Sequence, residues 1–199
     1  WCDETWNTVG GCTKVSAGCR ECYAEEMAHR LSRSPNDKIR ETYDGIITIT
    51  RPAQVKYDTD KYKWSGRVRF LPDRLDQPLH WRKPRLIFVN SMSDTFHEEM
   101  AFEDINRVFY ATYAALHHTY LFLTKRAGRM RDFMHAYGSF CTHRYWLGVS
   151  VENQAAADER VPILASIPVA KRWLSVEPLL GAVTLPHLDS ISWVVVGGE

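Results

Sequence analysis

The sequence lacks any apolar run near the roughly 18 residues that a membrane span requires, and no signal-peptide pattern opens it. The expectation is a cytoplasmic protein with no membrane partner. It also lacks an excess of one charge. Lys and Arg number 25 against 24 Asp and Glu, so the net charge of +1 gives no bulk argument for nucleic acid or acidic partners. Repeats and low-complexity tracts are absent. With 45% hydrophobic residues the composition is that of a globular protein rather than a disordered or fibrous one. A chain of 199 residues suits one sizeable domain or two small ones. Cysteines are few. Five is an odd count without a secretory signal, which argues against a disulfide framework and for metal or catalytic use. The chain starts at Trp1 rather than Met and stops at Glu199 directly after a strand-like run, so both ends are expected to be incomplete.

What is present is concentrated near the start. The stretch "GCTKVSAGCRECYAE" holds three of the five cysteines, with six residues between Cys12 and Cys19 and two between Cys19 and Cys22. Four thiolates, or a thiolate and histidine mixture, close a tetrahedral zinc site, and Cys2 or His29 supplies a fourth zinc ligand on paper. Three cysteines alone leave one iron of a four-iron cluster without a protein ligand. That open iron takes S-adenosylmethionine through its amino and carboxylate groups, and an electron from the cluster then cleaves it to a deoxyadenosyl radical. Spacing alone does not separate zinc from iron–sulfur, and the six-residue gap is longer than the usual three of radical enzymes. Neither Cys2 nor Cys141 is needed in the iron–sulfur reading.

"YAEEMAHRL" after the cysteines reads as a helix from Tyr23 to Leu31, with Met27 and Leu31 on one face. Residues 32–66 are polar and irregular around a β-prone "IITIT". Beyond Gly66, "RVRFL" is strand-like and "PDRLDQPLHW" helix-like. "RLIFVN", "YLFLT", "YWLGVSV", "RWLSV" and "SWVVVG" are short apolar runs, separated by helix-like stretches at 102–118, 127–138 and 153–167. Continuous apolar strands alternating with helices predict an α/β protein with a parallel sheet covered by helices. The count fits a full or partial β/α barrel better than an open sheet covered on both faces. We expect a single barrel-like domain over 1–199, with the excursion at about 32–66.

Each strand-like run ends in polar residues, on the side where β/α barrels build active sites. Asp94 and His97 follow the first run, Lys125 and Arg126 the second, Ser150 and Glu152 the third, and Glu177 the fourth. Ser93, Asp94 and Asn153 suit helix caps equally well, and a histidine after an aromatic is often a packed residue. Glu152 and Glu177 are harder to set aside, because a carboxylate just beyond an apolar strand is costly unless it binds something. The roles expected are catalytic for Asp94, His97 and Glu177, and cofactor-binding for Lys125, Arg126, Ser150 and Glu152. Lys125 or Arg126 would neutralise the carboxylate of S-adenosylmethionine.

Together, "WNTVGGCTKVSAGCRECYAE", "RLDQPLHWRKPRLIFVNSMSDTFHE", "LTKRAGRM", "WLGVSVENQAAADERVPIL", "LSVEPLLG" and "VVVGGE" resemble the phage- and prophage-associated three-Cys-motif proteins of unknown function. That family is similar to radical SAM enzymes. The resemblance covers nearly the whole chain. It implies a TIM-barrel-like β/α fold with a 4Fe-4S cluster on Cys12, Cys19 and Cys22, S-adenosylmethionine as second cofactor, and an electron donor. It supplies no substrate. Tyr23 matches the aromatic that commonly follows the last cysteine and packs on the adenine. The Gly-Gly-Glu that holds the methionyl group in such enzymes follows their second strand. Here Gly197, Gly198 and Glu199 end the last one, so that role is not transferred.

Phage association suggests a nucleic acid or nucleobase as substrate. Residues 51–85 interleave Arg51, Lys56, Lys61, Lys63, Arg67, Arg69, Arg74, Arg82, Lys83 and Arg85 with Tyr57, Tyr62, Trp64 and Trp81, the mixture that single-strand binders use. Asp58, Asp60, Asp73 and Asp76 in the same stretch favour an ordinary solvated face instead. Two alternatives stand beside the enzyme acting on nucleic acid. One is a small-molecule or peptide substrate delivered by a partner protein encoded nearby. The other is a non-enzymatic zinc- or cluster-bearing nucleic-acid-binding module.

Overall fold

The computed structural model describes residues 2–50, 61–138 and 143–198. Of the residues singled out above, Trp1, Arg51, Lys56, Tyr57, Asp58, Asp60, Cys141 and Glu199 lie outside the described residues.

In chain order the elements are β1 (Glu4–Trp6), β2 (Val9–Gly10), α1 (Tyr23–Leu31), α2 (Asp37–Tyr43), β3 (Ile47–Thr50), β4 (Lys61–Trp64), β5 (Arg69–Phe70) and the one-turn α3 (Gln77–His80). Then come β6 (Leu86–Val89), α4 (Phe102–Tyr113), β7 (Thr119–Thr124), α5 (Ala127–Tyr137), β8 (Tyr145–Ser150), α6 (Gln154–Ser166), β9 (Lys171–Val176) and β10 (Trp193–Val196). Six strands form one parallel sheet in the order β1-β6-β7-β8-β9-β10. From β6 onward the spatial order follows the chain, and right-handed crossovers then place α4, α5 and α6 on a single face. Among the described residues no pairing joins β1 to β10, so the sheet is open rather than a closed barrel.

The apolar runs of β7, β8 and β9 form strands because both of their faces are covered, while β10 is half-buried. On the helical side Ile87, Val89, Tyr120, Phe122, Tyr145, Leu147, Val149, Leu174 and Val176 meet Ile105, Val108, Phe109, Met130, Phe133, Val161 and Leu164. Phe109 stacks on Phe122 at 4.3 Å between ring centroids. The opposite side is aromatic: the Trp173 indole reaches over Gly148 towards its neighbours and stacks on Trp193 at 5.5 Å.

Several expectations are corrected. "RVRFL" does not join the main sheet; only Arg69–Phe70 is a strand, antiparallel to β2. Its alternating arginines leave one face wet, whereas a central parallel strand is apolar on both. The sixth strand is β1. "PDRLDQPLHW" gives a 3₁₀ turn at Pro72–Arg74 and then α3, since Pro78 lacks the amide that one continuous helix starting at Pro72 needs in its interior. In α1 the boundaries are as expected, but Met27 is exposed, while Ala24 and Ala28 face a small core. The excursion at 32–66 contains α2 and the antiparallel β3–β4 pair. The Asn36 side chain accepts the Ile39 amide at 3.4 Å to cap α2.

Candidate active site

The segment leading to the cysteines is attached to the far end of β6. Asn90, in the left-handed region at φ 60°, accepts the amides of Thr8 and Val9 at 2.7 and 3.1 Å through its side-chain oxygen. Its amide nitrogen donates to Thr95 Oγ1 at 2.8 Å. Ser93 Oγ donates to the Val9 carbonyl at 2.8 Å, and Gly11 bridges Ser93 in parallel. The chain then turns at Gly11, where φ is +92° and a β-carbon would stand 2.2 Å from the Arg67 carbonyl oxygen. Only glycine is compatible with that turn. Cys12 is thereby delivered to the C-terminal edge of the sheet.

The cysteine loop is held at both ends. Lys14 Nζ donates to the Arg20 carbonyl at 3.0 Å and pairs with Glu25 at 2.6 Å. Glu25, buried in the first turn of α1, also accepts the Trp64 amide at 2.7 Å. Cys19 ends a 3₁₀ turn, with Sγ 3.7 Å from Ser16 Oγ, and Cys22 is the N-cap residue of α1. Cys12 and Cys22 pack against one apolar cluster that includes Ala28, Ile46, Trp64 and Met92. All three cysteines are half-buried thiols without disulfides. Burial pushes the Cys12 thiol up to about 12, Asp94 adding to the rise and Arg126 opposing it.

Asp94, His97 and Arg126 converge on this loop. Asp94 accepts from Thr124 Oγ1 at 2.8 Å, from the Phe96 amide at 2.9 Å and from Arg126 Nη1 at 3.0 Å. Arg126 Nε donates to Glu98 at 2.7 Å, and Nη2 donates to Thr13 Oγ1 at 2.7 Å. Nη1 lies 4.0 Å from Cys12 Sγ. Burial opposes the charge on Arg126, yet Asp94, Cys12 and Glu98 together hold its pKa above the ordinary value. His97 Nδ1 accepts the Glu99 amide at 3.1 Å, which leaves the proton of the neutral ring on Nε2, 2.8 Å from Thr13 Oγ1. Burial, with Arg126 adding, keeps the His97 pKa below its ordinary value.

The other expected residues divide. Glu152 is fully buried, and its partner is Arg160 of α6, Nη1 to Oε2 at 2.8 Å. The same guanidinium donates to the Ser150 carbonyl at 2.8 Å. Glu152 also meets the cysteine loop: a β-carbon on Gly18 would stand 3.1 Å from its Cβ and Cγ. Glu177 accepts from Ser175 Oγ at 2.9 Å and lies against Gly197; among the described residues no hydrogen bond or ion pair joins it to the cysteine loop. The Lys125 amide donates to Asp94 at 3.3 Å, and its side chain is half-exposed. Tyr23 is 61% exposed while its hydroxyl donates to the Ser91 carbonyl, which leaves a ring face open beside the loop. Ser150, buried, stands opposite Ser175 across the β8–β9 pairing. Thr13, Glu98, Thr124 and Arg160 were missed. Strand-end position was a usable signal for Thr124. The basic stretch is partly structural, since Arg69 donates to the Glu41 and Asp44 carbonyls at the end of α2 and Arg74 Nη1 donates to the Asn7 carbonyl at 3.3 Å. Lys61 and Lys63 are exposed.

A donor set of thiolates alone selects zinc or iron–sulfur. Among the described residues no group of three or more His, Cys, Asp or Glu side chains converges tightly enough to hold a metal ion. A four-iron cluster asks for a different arrangement, because each thiolate binds its own iron. Three thiols spaced along one loop fit that demand in chemistry and in number.

Fold and site define an α/β protein with a three-cysteine loop on the C-terminal edge of a parallel sheet. The whole chain, residues 1–199, matches the family described as protein of unknown function (DUF5131), and the chain belongs to that family. No curated protein and no solved structure matches it. Among the described residues no helix is long and apolar enough to cross a membrane.

Proposed function

We propose that the protein is a radical SAM-type enzyme, built as a partial β/α barrel and related to the phage-associated three-Cys-motif proteins. One observation carries the reading. The cysteine loop is hydrogen-bonded and packed onto the strand ends, through Thr13 to Arg126 and through Gly18 to Glu152. Cys12, Cys19 and Cys22 would hold the 4Fe-4S cluster, leaving one iron for S-adenosylmethionine. When bound and reduced by an external electron donor, the cluster supplies the electron that cleaves S-adenosylmethionine.

The chain's own residues do the rest. Tyr23 presents an exposed ring beside Cys22, suited to an adenine face. Lys125, half-exposed next to the Asp94 hub, is the cation left for the methionyl carboxylate, since Arg126 is already shared by Asp94, Glu98 and Thr13. Glu177, just beyond the end of β9 and two strands away from Lys125, is the candidate proton handler towards substrate. For the substrate we propose a nucleic acid or nucleobase, with exposed Lys61 and Lys63 as phosphate contacts.

The test is anaerobic incubation of dithionite-reduced protein with S-adenosylmethionine. Formation of 5′-deoxyadenosine that is lost in Cys12→Ala, Cys19→Ala and Cys22→Ala supports the reading. Its absence in cluster-loaded wild-type protein overturns it. Salt-sensitive binding of single-stranded DNA or RNA, weakened in a Lys61→Ala/Lys63→Ala variant, tests the substrate class.

A further inference from the structure

We infer that Arg126 is a positioning residue that sets the electrostatic environment of the Cys12 sulfur, and that Asp94 opposes it. The inference rests on the iron–sulfur reading above.

The geometry is specific. One nitrogen of the guanidinium, Nη1, lies 3.0 Å from Asp94 and 4.0 Å from Cys12 Sγ, so it stands between a carboxylate and a thiol. The other terminal nitrogen holds Thr13, the next residue along the loop, at 2.7 Å. Nε is taken by Glu98 at 2.7 Å. The fork therefore cannot turn away from Cys12 without breaking several contacts. Arg126 and Asp94 are both more than nine-tenths buried, so solvent screens little of the interaction. His97, donating to Thr13 Oγ1 from the other side, fixes the same loop residue.

Donors and charges close to a cluster thiolate tune its reduction potential. Reduction adds a negative charge. A guanidinium beside Cys12 favours the reduced form, and a carboxylate beyond it disfavours that form. Arg126→Gln removes the positive charge and leaves the Asp94 carboxylate acting on the sulfur uncompensated, which lowers the potential. Asp94→Asn leaves Arg126 less compensated, which raises it. A merely structural role does not predict shifts of opposite sign.

The experiment is a spectroelectrochemical titration of the anaerobically reconstituted cluster in wild type, Arg126→Gln, Arg126→Lys and Asp94→Asn. We expect Arg126→Gln to move the oxidised-to-reduced balance by about tenfold, or about 59 mV for one electron, to more negative potential. Asp94→Asn should shift it in the opposite direction, and Arg126→Lys should recover part of the loss. Cluster present with unchanged potentials in both charge variants overturns the inference alone. A wild-type protein that takes up no cluster overturns the reading beneath it as well. Should the charge variants not fold, Thr13→Val carries the test, because it removes only the hydroxyl that Arg126 and His97 hold. Its cluster potential should then move in the same direction as that of Arg126→Gln, because Arg126 loses a contact that holds it beside Cys12, and a wild-type potential overturns the inference.

Discussion

Glu152 provides the sharpest separation between a residue that builds the site and one that reacts in it. Its side chain has no exposure, that of Arg160 has 6%, and the two are joined at 2.8 Å with a second contact at 3.5 Å. The guanidinium makes one further bond, to the Ser150 carbonyl. Replacing Glu152 by glutamine keeps the shape but removes the charge, which leaves a cation buried without its counter-ion. Breaking a buried pair from one side costs about 3–5 kcal/mol. For a chain of this size each kcal/mol lowers the melting temperature by about 2–4 °C, so Glu152→Gln should melt about 6–20 °C below wild type. Glu152→Leu combined with Arg160→Met, which removes both charges, should recover most of that loss. The assay is urea and thermal denaturation of the three proteins side by side. A Glu152→Gln protein as stable as wild type would refute the reasoning. That result would make Glu152 a carboxylate held for a ligand rather than for Arg160.

Gly11→Ala should cost about 1–3 kcal/mol from its positive φ alone, before the contact with the Arg67 carbonyl is counted. It should also lower iron uptake by moving Cys12; wild-type stability and iron content together would contradict this. His118 is fully buried, with Nδ1 accepting the Arg85 amide at 3.1 Å and Nε2 lying 2.9 Å from the Pro78 carbonyl. Burial, with His117 and Arg85 adding, lowers its pKa from 6.5. The unfolded chain then takes up the proton first, so this contribution is complete above about pH 6.5 and is lost as pH falls towards the native pKa. Urea midpoints at pH 7.5 and 5.5 should differ less in His118→Asn than in wild type, and an equal drop in both would count against it.

The apolar strands were legible in the sequence because β6 to β10 each carry a mostly apolar run, the pattern that burial on both faces produces in the central strands β7 to β9. β1 carried no such mark. Glu4, Thr5 and Trp6 take their place in the sheet from pairing with Ile87, Phe88 and Val89, more than eighty residues away. At the site, the strand-end rule picked out Asp94, His97 and Arg126, which do gather at the cysteine loop. Sequence reasoning treated Glu152 as lacking a partner because Arg160 lies in the next helix, directly after Asp158 and Glu159, where nothing in the sequence ties it to Glu152. Thr13 could not be read at all. Its importance comes from His97 and Arg126, which are 84 and 113 positions away and meet only in the fold.

The most direct test of the whole account is the iron and acid-labile sulfide content of the anaerobically reconstituted protein, measured with zinc on the same samples. About four iron and four sulfide per chain are expected. That content should be lost in Cys12→Ala, Cys19→Ala or Cys22→Ala and kept in Cys2→Ala. Tight stoichiometric zinc that needs Cys2 or His29, with no bound sulfide, would contradict it.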